Sequence, residues 1–198
     1  MLPECAPASF QNPCPSAAGI GAQVAPEYAA KARTAGCPCG GKLHSARYRR
    51  KPRGVAAGIG DGYGRRWSFC CAKEGCRRRV TPPSVRFLGR KVYVGAVVVV
   101  LAALRQTASA VRLASVRKYI GVSWRTVRRW AAWWRESFAS SRFWKAAQGL
   151  LAPPAPAAAT LPAALISVFR GDEEARLIST LRFVAPITTA SANGGAGL

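Results

Sequence analysis

Acidic residues are scarce in this chain: eight Asp and Glu stand against 30 Lys and Arg. That scarcity weighs against metal-dependent phosphoryl transfer, which gathers several carboxylates around its ions. After Glu136 the only acids are Asp172, Glu173 and Glu174. These are consecutive, so their side chains point in different directions and cannot assemble a two-metal site alone. Histidine is nearly absent too, with His44 the only one. It has no acidic or nucleophilic partner at motif spacing, which leaves no hydrolytic triad to propose. Long apolar runs are also missing. The most apolar stretch, Val92 to Leu104, spans 13 residues and contains Gly95. A membrane-crossing helix needs about 20, so this stretch reads as a buried core helix. The N-terminus lacks a basic region followed by an apolar core, so no secretory signal is expected and the chain reads as cytoplasmic.

What is abundant is positive charge, a formal +22. Of the 30 basic residues, 27 fall between Lys31 and Lys145, against three acids (Asp61, Glu74, Glu136), a local charge of +24. Such a concentration implies a polyanionic partner, and nucleic acid fits best. A membrane surface fits less well, because the cations surround motifs instead of lining one amphipathic helix.

The composition divides the chain. Residues 1–35, rich in Ala, Pro, Gly and Ser without a sustained period, read as a disordered tail. Residues 36–83 form a small cysteine-containing module with short strand-like pieces, ended by Thr81-Pro82-Pro83. Residues 90–148 read as helices over roughly Val92–Gln106, Ser109–Ile120 and Trp124–Trp134 or further. Val97, Val98, Leu101, Leu113, Val116, Val127 and Trp130 are their candidate core. A Pro/Ala linker covers 149–160. A short helical segment follows at 161–190, opened by Thr160 as cap. A helix is expected there from about Asp172 to Val184, with Leu177, Ile178, Leu181 and Val184 on one face. Residues 191–198 read as a disordered tail. The fold class expected is mainly α with a small β zinc-ribbon, a helix-turn-helix bundle and disordered termini. The C-terminal helices would either cap the core, the reading favoured here, or support a homodimer.

Seven cysteines are present. Cys5 and Cys14 read as unpaired thiols. Without a secretory signal, the other five point to metal binding more than to disulfides. Cys37-Pro38-Cys39 and Cys71-Ala72-Lys73-Glu74-Gly75-Cys76 look like two halves of one structural zinc site, since zinc takes four thiolates from paired turns. A glycine-rich module of this size has too small a core to fold without such a staple. Cys70 competes with Cys71 as ligand, and His44 with Cys39. The first pair is one residue shorter than a usual knuckle. Basic clusters flank the site: Arg49, Arg50 and Lys51 in the loop, and Arg77, Arg78 and Arg79 after the last cysteine. They suit phosphate contacts with little sequence choice.

The second functional segment is Gly121-Val122-Ser123-Trp124-Arg125-Thr126-Val127-Arg128-Arg129-Trp130. Gly121 suits a tight interhelical turn and Ser123 an N-cap. Val127, Trp130, Trp134 and Phe138 make an apolar stripe at helical spacing. Arg125, Arg128 and Arg129 occupy the other side, where arginine can bind guanine or phosphate. Trp124, directly after the cap, is expected to be partly exposed.

A cysteine knuckle, a basic loop, an Arg-aromatic strand ending in Cys and then GVSxxTVRRW resemble the N-terminal DNA-binding part of bacterial insertion-sequence transposases. The resemblance covers roughly residues 36–145. It implies a zinc ribbon followed by a helix-turn-helix that binds double-stranded DNA at an element's terminal repeats. Cys37, Cys39, Cys71 and Cys76 would be the ligands, and Ser123, Trp124, Arg125, Thr126, Arg128 and Arg129 would face the DNA. Arg117 departs from the pattern, because such motifs carry a small residue four positions before the turn glycine. The acid poverty suggests an accessory, regulatory or remnant product of a mobile element in a bacterial, nucleoid-associated setting. The competing readings are an active transposase with unrecognised chemistry and a non-specific nucleic-acid scaffold.

Overall fold

The computed structural model describes residues 24–45, 48–49, 64–88, 93–151 and 154–190. It is mainly helical with a small three-stranded antiparallel sheet. In chain order the elements are α1 (Val24–Ala35), β1 (Leu43–Ser45), β2 (Tyr48–Arg49), β3 (Arg65–Arg66), β4 (Phe69–Cys71), β5 (Arg79–Val80), β6 (Phe87–Leu88) and β7 (Tyr93–Val94). There follow α2 (Gly95–Thr107), α3 (Ala110–Ile120), α4 (Trp124–Trp133), α5 (Arg142–Ala147), α6 (Ala163–Val168), α7 (Glu173–Val184) and α8 (Ile187–Ala190). No helix among the described residues is long and apolar enough to cross a membrane.

The first correction to the sequence reading is α1, which lies inside the stretch assigned to a disordered tail. Its run of alanines favours helix, Glu27 and Arg33 sit at the ends where the dipole favours them, and Gly36 at φ +68° ends it. Alone it would be too short to hold. It is held by contacts distant in sequence, and these were invisible to a local reading. Ala29 is buried with Cys37, Leu43, Phe69 and Cys71. Tyr28 packs against the helical core and donates to the Arg182 carbonyl at 3.5 Å. One helix thus touches both hydrophobic clusters.

In the sheet β4 is central, paired with β1 (Leu43 opposite Cys71) and with β5 (Phe69 opposite Val80). Side chains alternate across a strand, so Phe69 and Cys71 enter the small core together while Cys70 faces the other way.

The larger core is built around α2. Its Val97–Val100 run carries a propensity cost of up to about 0.7 kcal/mol per residue. Full burial contributes about 1.5–3 kcal/mol for each such side chain, so packing wins. Val98, Val99, Leu101 and Ala102 are completely buried. α3 and α4 pack on α2, and Val127, Trp130, Trp134 and Phe138 form the expected buried stripe. Leu113 is buried as expected, and Val116 is partly buried against the same core. Beyond Trp133 the chain continues as one π-helical turn, Trp134–Phe138, whose two end rings meet edge to face with centroids 4.6 Å apart.

The C-terminal helices belong to this core. Leu161, Leu165, Leu181, Val184, Ala185 and Ile187 are buried in it. The α7 boundaries agree with the expectation, and Asp172 caps the helix by accepting from the Ala175 N–H at 2.8 Å. Thr160 is not a cap: its hydroxyl donates back to the Ala157 carbonyl, and Pro162 precedes α6 without a side-chain cap. The end of the linker is pinned to α2 by Gln106, whose Nε2 donates to the Leu161 carbonyl at 2.7 Å.

Candidate metal centre and basic helical surface

Two turns shape the cysteine cluster. The first follows α1, where the Gly40 N–H donates to the Cys37 carbonyl at 2.8 Å and Gly40 takes φ +76°. The second runs from Lys73 to Cys76, closed at 3.1 Å, with Gly75 at φ +79°. Both angles lie in the left-handed region that only glycine enters freely. The Sγ atoms of Cys37, Cys39, Cys71 and Cys76 all lie within 4.8 Å of one another. Cys37 and Cys39 are 3.4 Å apart, Cys39 and Cys71 3.5 Å, and Cys37 and Cys76 3.8 Å. The shortened first knuckle therefore still delivers both of its thiols.

The electrostatics suit a cation. The Gly41 N–H, with the neighbouring Cys76, Cys37 and Cys71 thiols, holds Cys39 down at about 6. The Lys73 N–H favours the Cys71 thiolate, but burial and the surrounding thiols outweigh it and push Cys71 up to about 12. Four sulfurs this close cannot all ionise unless a positive ion balances them. These four cysteines could bind a metal ion.

The neighbouring candidates fall outside the cluster. Cys70 Sγ turns to the Arg77 carbonyl at 3.7 Å. His44, opposite Cys70 in the sheet, is exposed on the same outer side. The alternation of β4 decides between Cys70 and Cys71, a signal that the sequence carried once the strand is placed.

Arg77, Arg78 and Arg79 are exposed beside the cluster. Arg49 is placed at backbone level opposite Arg65. Its side chain, with Arg50 and Lys51, lies outside the described residues.

The second site is the junction of α3 and α4. Gly121 adopts φ +69°; its N–H donates to the Lys118 carbonyl and that of Val122 to the Arg117 carbonyl. This is the Schellman arrangement, which stops a helix abruptly. Arg117 turns back and donates from Nη1 to the Val122 carbonyl at 2.9 Å. The large residue thus lies along the turn and braces it. Ser123 caps α4, its Oγ accepting from the Thr126 N–H at 3.2 Å, and it shares a 2.9 Å hydrogen bond with the Thr126 hydroxyl. Val122, Val127 and Trp130 are buried, which fixes the rotation of α4 about its axis. That rotation leaves Arg125, Arg128 and Arg129 exposed. Trp124 is 43% exposed, as expected for the residue after the cap, and Tyr119 at the end of α3 is 74% exposed.

No family model, curated protein or solved structure matches this chain.

The charge around the junction is of one sign over a long stretch. Between Glu74 and Glu136 the chain has 14 Lys and Arg and no Asp or Glu. No local carboxylate from that stretch can neutralise the arginines of α4.

Proposed function

We propose that this chain binds double-stranded DNA, with α3, the Gly121 turn and α4 working as a helix-turn-helix. The observation that carries the reading is the capped α4, which buries Val127 and Trp130 and turns Arg125, Arg128 and Arg129 outward in an acid-free stretch. In this reading α4 enters the major groove. Trp124, Arg125, Thr126, Arg128 and Arg129 approach base edges, and Ser123 positions the first turn. The cysteine module is a zinc ribbon. Tetrahedral zinc with Zn–S of about 2.3 Å has sulfur–sulfur edges of about 3.8 Å, close to the spacings of this cluster. Zinc there holds the two turns together, and Arg77, Arg78 and Arg79 contact adjacent phosphates. The whole resembles the DNA-binding part of insertion-sequence transposases. We assign no strand-transfer chemistry to it, because Asp172, Glu173 and Glu174 sit together at the start of α7.

Selection of binding sites from random duplexes at about 150 mM salt tests this reading. The expected result is one enriched motif, lost on Arg128→Ala. Retention with no enriched motif would support a non-specific nucleic-acid scaffold instead. No retention would overturn DNA binding altogether.

A further inference from the structure

The four clustered sulfurs divide into two accessible and two hidden ones. Cys37 and Cys71 are buried, while Cys39 and Cys76 are partly exposed. Each accessible sulfur lies against a hidden one of the other cysteine pair. Cys39 Sγ is 3.5 Å from Cys71 Sγ, and Cys76 Sγ is 3.8 Å from Cys37 Sγ. These contacts span 32 and 39 positions of chain, and together they use all four thiols. Cys70 stays out of the cluster, its Sγ turned to the Arg77 carbonyl at 3.7 Å.

Pairing within the first turn is less open. Cys37 and Cys39 are 3.4 Å apart, but Pro38 between them has a fixed φ. The Gly40 N–H also holds the Cys37 carbonyl at 2.8 Å. A disulfide imposes its own torsion and Cβ separation, so a bridge across that single fixed residue would strain the turn. A bridge between the two pairs only replaces a contact already made.

We propose that the cluster is an oxidation site for peroxides, at which Cys39 pairs with Cys71 and Cys76 with Cys37. In each pair the partly exposed thiolate attacks one peroxide oxygen. The S–O bond forms, the O–O bond breaks, and the hydroxide that leaves is protonated to water. The buried thiolate facing it then attacks the sulfenic sulfur, forming the S–S bond and expelling the oxygen as a second water. Two thiols and one hydrogen peroxide thus give one disulfide and two waters, with sulfur oxidised and peroxide oxygen reduced. Burial keeps the second sulfur from the peroxide, and its contact with the first favours bridging over further oxidation to sulfinic acid. Both bridges join the turn after α1 to β4 and the turn behind it. The ribbon therefore stays stapled while the thiolates that would hold zinc are consumed. The site is the one read above as a zinc ribbon, but the pairing rests on the sulfur positions and not on the metal.

The test treats the full chain, zinc-loaded and metal-free, with hydrogen peroxide. Remaining thiols are then alkylated and tryptic peptides are mapped without reduction. Trypsin leaves Cys37 and Cys39 in residues 34–42, Cys70 and Cys71 in 67–73, and Cys76 in 74–77. The expected product joins all three peptides, with fragmentation placing the bonds at Cys39–Cys71 and Cys37–Cys76. Its formation should release bound zinc, and dithiothreitol should reverse it. Cys76→Ser should drop the 74–77 peptide and keep 34–42 joined to 67–73. Cys70→Ser should leave the map unchanged. A 34–42 peptide closed on itself, bridges through Cys70, or sulfinic acid without bridges overturns the proposal. So does the same map from chain oxidised in guanidinium chloride, because the pairing would then owe nothing to the fold. If the chain takes up no zinc at all, the metal reading fails while the metal-free map still decides the pairing.

Discussion

A methyl group on Gly41 would sit 2.5 Å from the Cys71 sulfur and 2.9 Å from Cβ of Lys73. The glycine is required by close approach, since the two turns that carry the cysteines pass each other there with no room for a side chain. Gly41→Ala must therefore push the turns apart. Overpacking of this kind typically costs about 1–3 kcal/mol. Bound zinc per chain and the thermal midpoint should both fall, and an unchanged midpoint would contradict the packing described.

The cysteine assignment separates by substitution. Cys76→Ser removes one of the four clustered thiols and, on the zinc-ribbon reading, should abolish stoichiometric zinc binding. Cys70→Ser, on the outer face of β4, should leave it intact. Equal loss in both would place Cys70 in the site after all.

Zinc binding should also release protons, because the metal takes thiolates. At pH 7 the Cys71 thiol, pushed up to about 12, must give up its proton, while Cys39, held at about 6, is already largely ionised. Fewer than four protons should therefore leave per ion. Zinc affinity should fall as pH drops across the neutral range, because protonated thiols such as Cys71 must release their protons, and more steeply below about 6, where Cys39 regains its proton as well. Calorimetry in buffers of different ionisation enthalpy measures the count. Four protons released at pH 7 would contradict the Cys39 assignment.

At the helical junction, Ser123→Ala removes the acceptor for the Thr126 N–H and should cost about 0.5–2 kcal/mol. Gly121→Ala forces a β-carbon into φ +69° and should cost more than the roughly 0.4–1 kcal/mol that such a change gains at a compatible position. By contrast, Glu27→Gln should cost under about 1 kcal/mol. Its 3.4 Å pair with Arg182 is about half exposed on both sides, and solvent screens it. Denaturant midpoints check all three, and a large loss from Glu27→Gln would show that the pair, not the packing of Tyr28 and Ala29, anchors α1.

Which features were legible follows from how local their causes are. The stripe Val127, Trp130, Trp134, Phe138 repeats within one helix, and the Ser123 cap and Gly121 turn are set by their immediate neighbours. The cysteine pairs were legible because short turns bring each pair together. The helix α1 was not, because its hold comes from Phe69 and Arg182, far along the chain. The same is true of the C-terminal helices: α7 was visible as an amphipathic helix, yet nothing local says that Leu181 packs against Gly95.

The central claim is that α4 reads DNA while the ribbon arginines hold it. Affinity for a selected duplex and for a scrambled one should be measured for Arg128→Ala and Arg78→Ala at one salt concentration. Arg128→Ala should lower the ratio between the two duplexes by about tenfold or more, within the about 1–3 kcal/mol that a good bidentate base contact supplies. Arg78→Ala should weaken both duplexes alike and leave the ratio unchanged. If Arg128→Ala also lowers both equally, α4 is not a reading helix and the account fails at its centre.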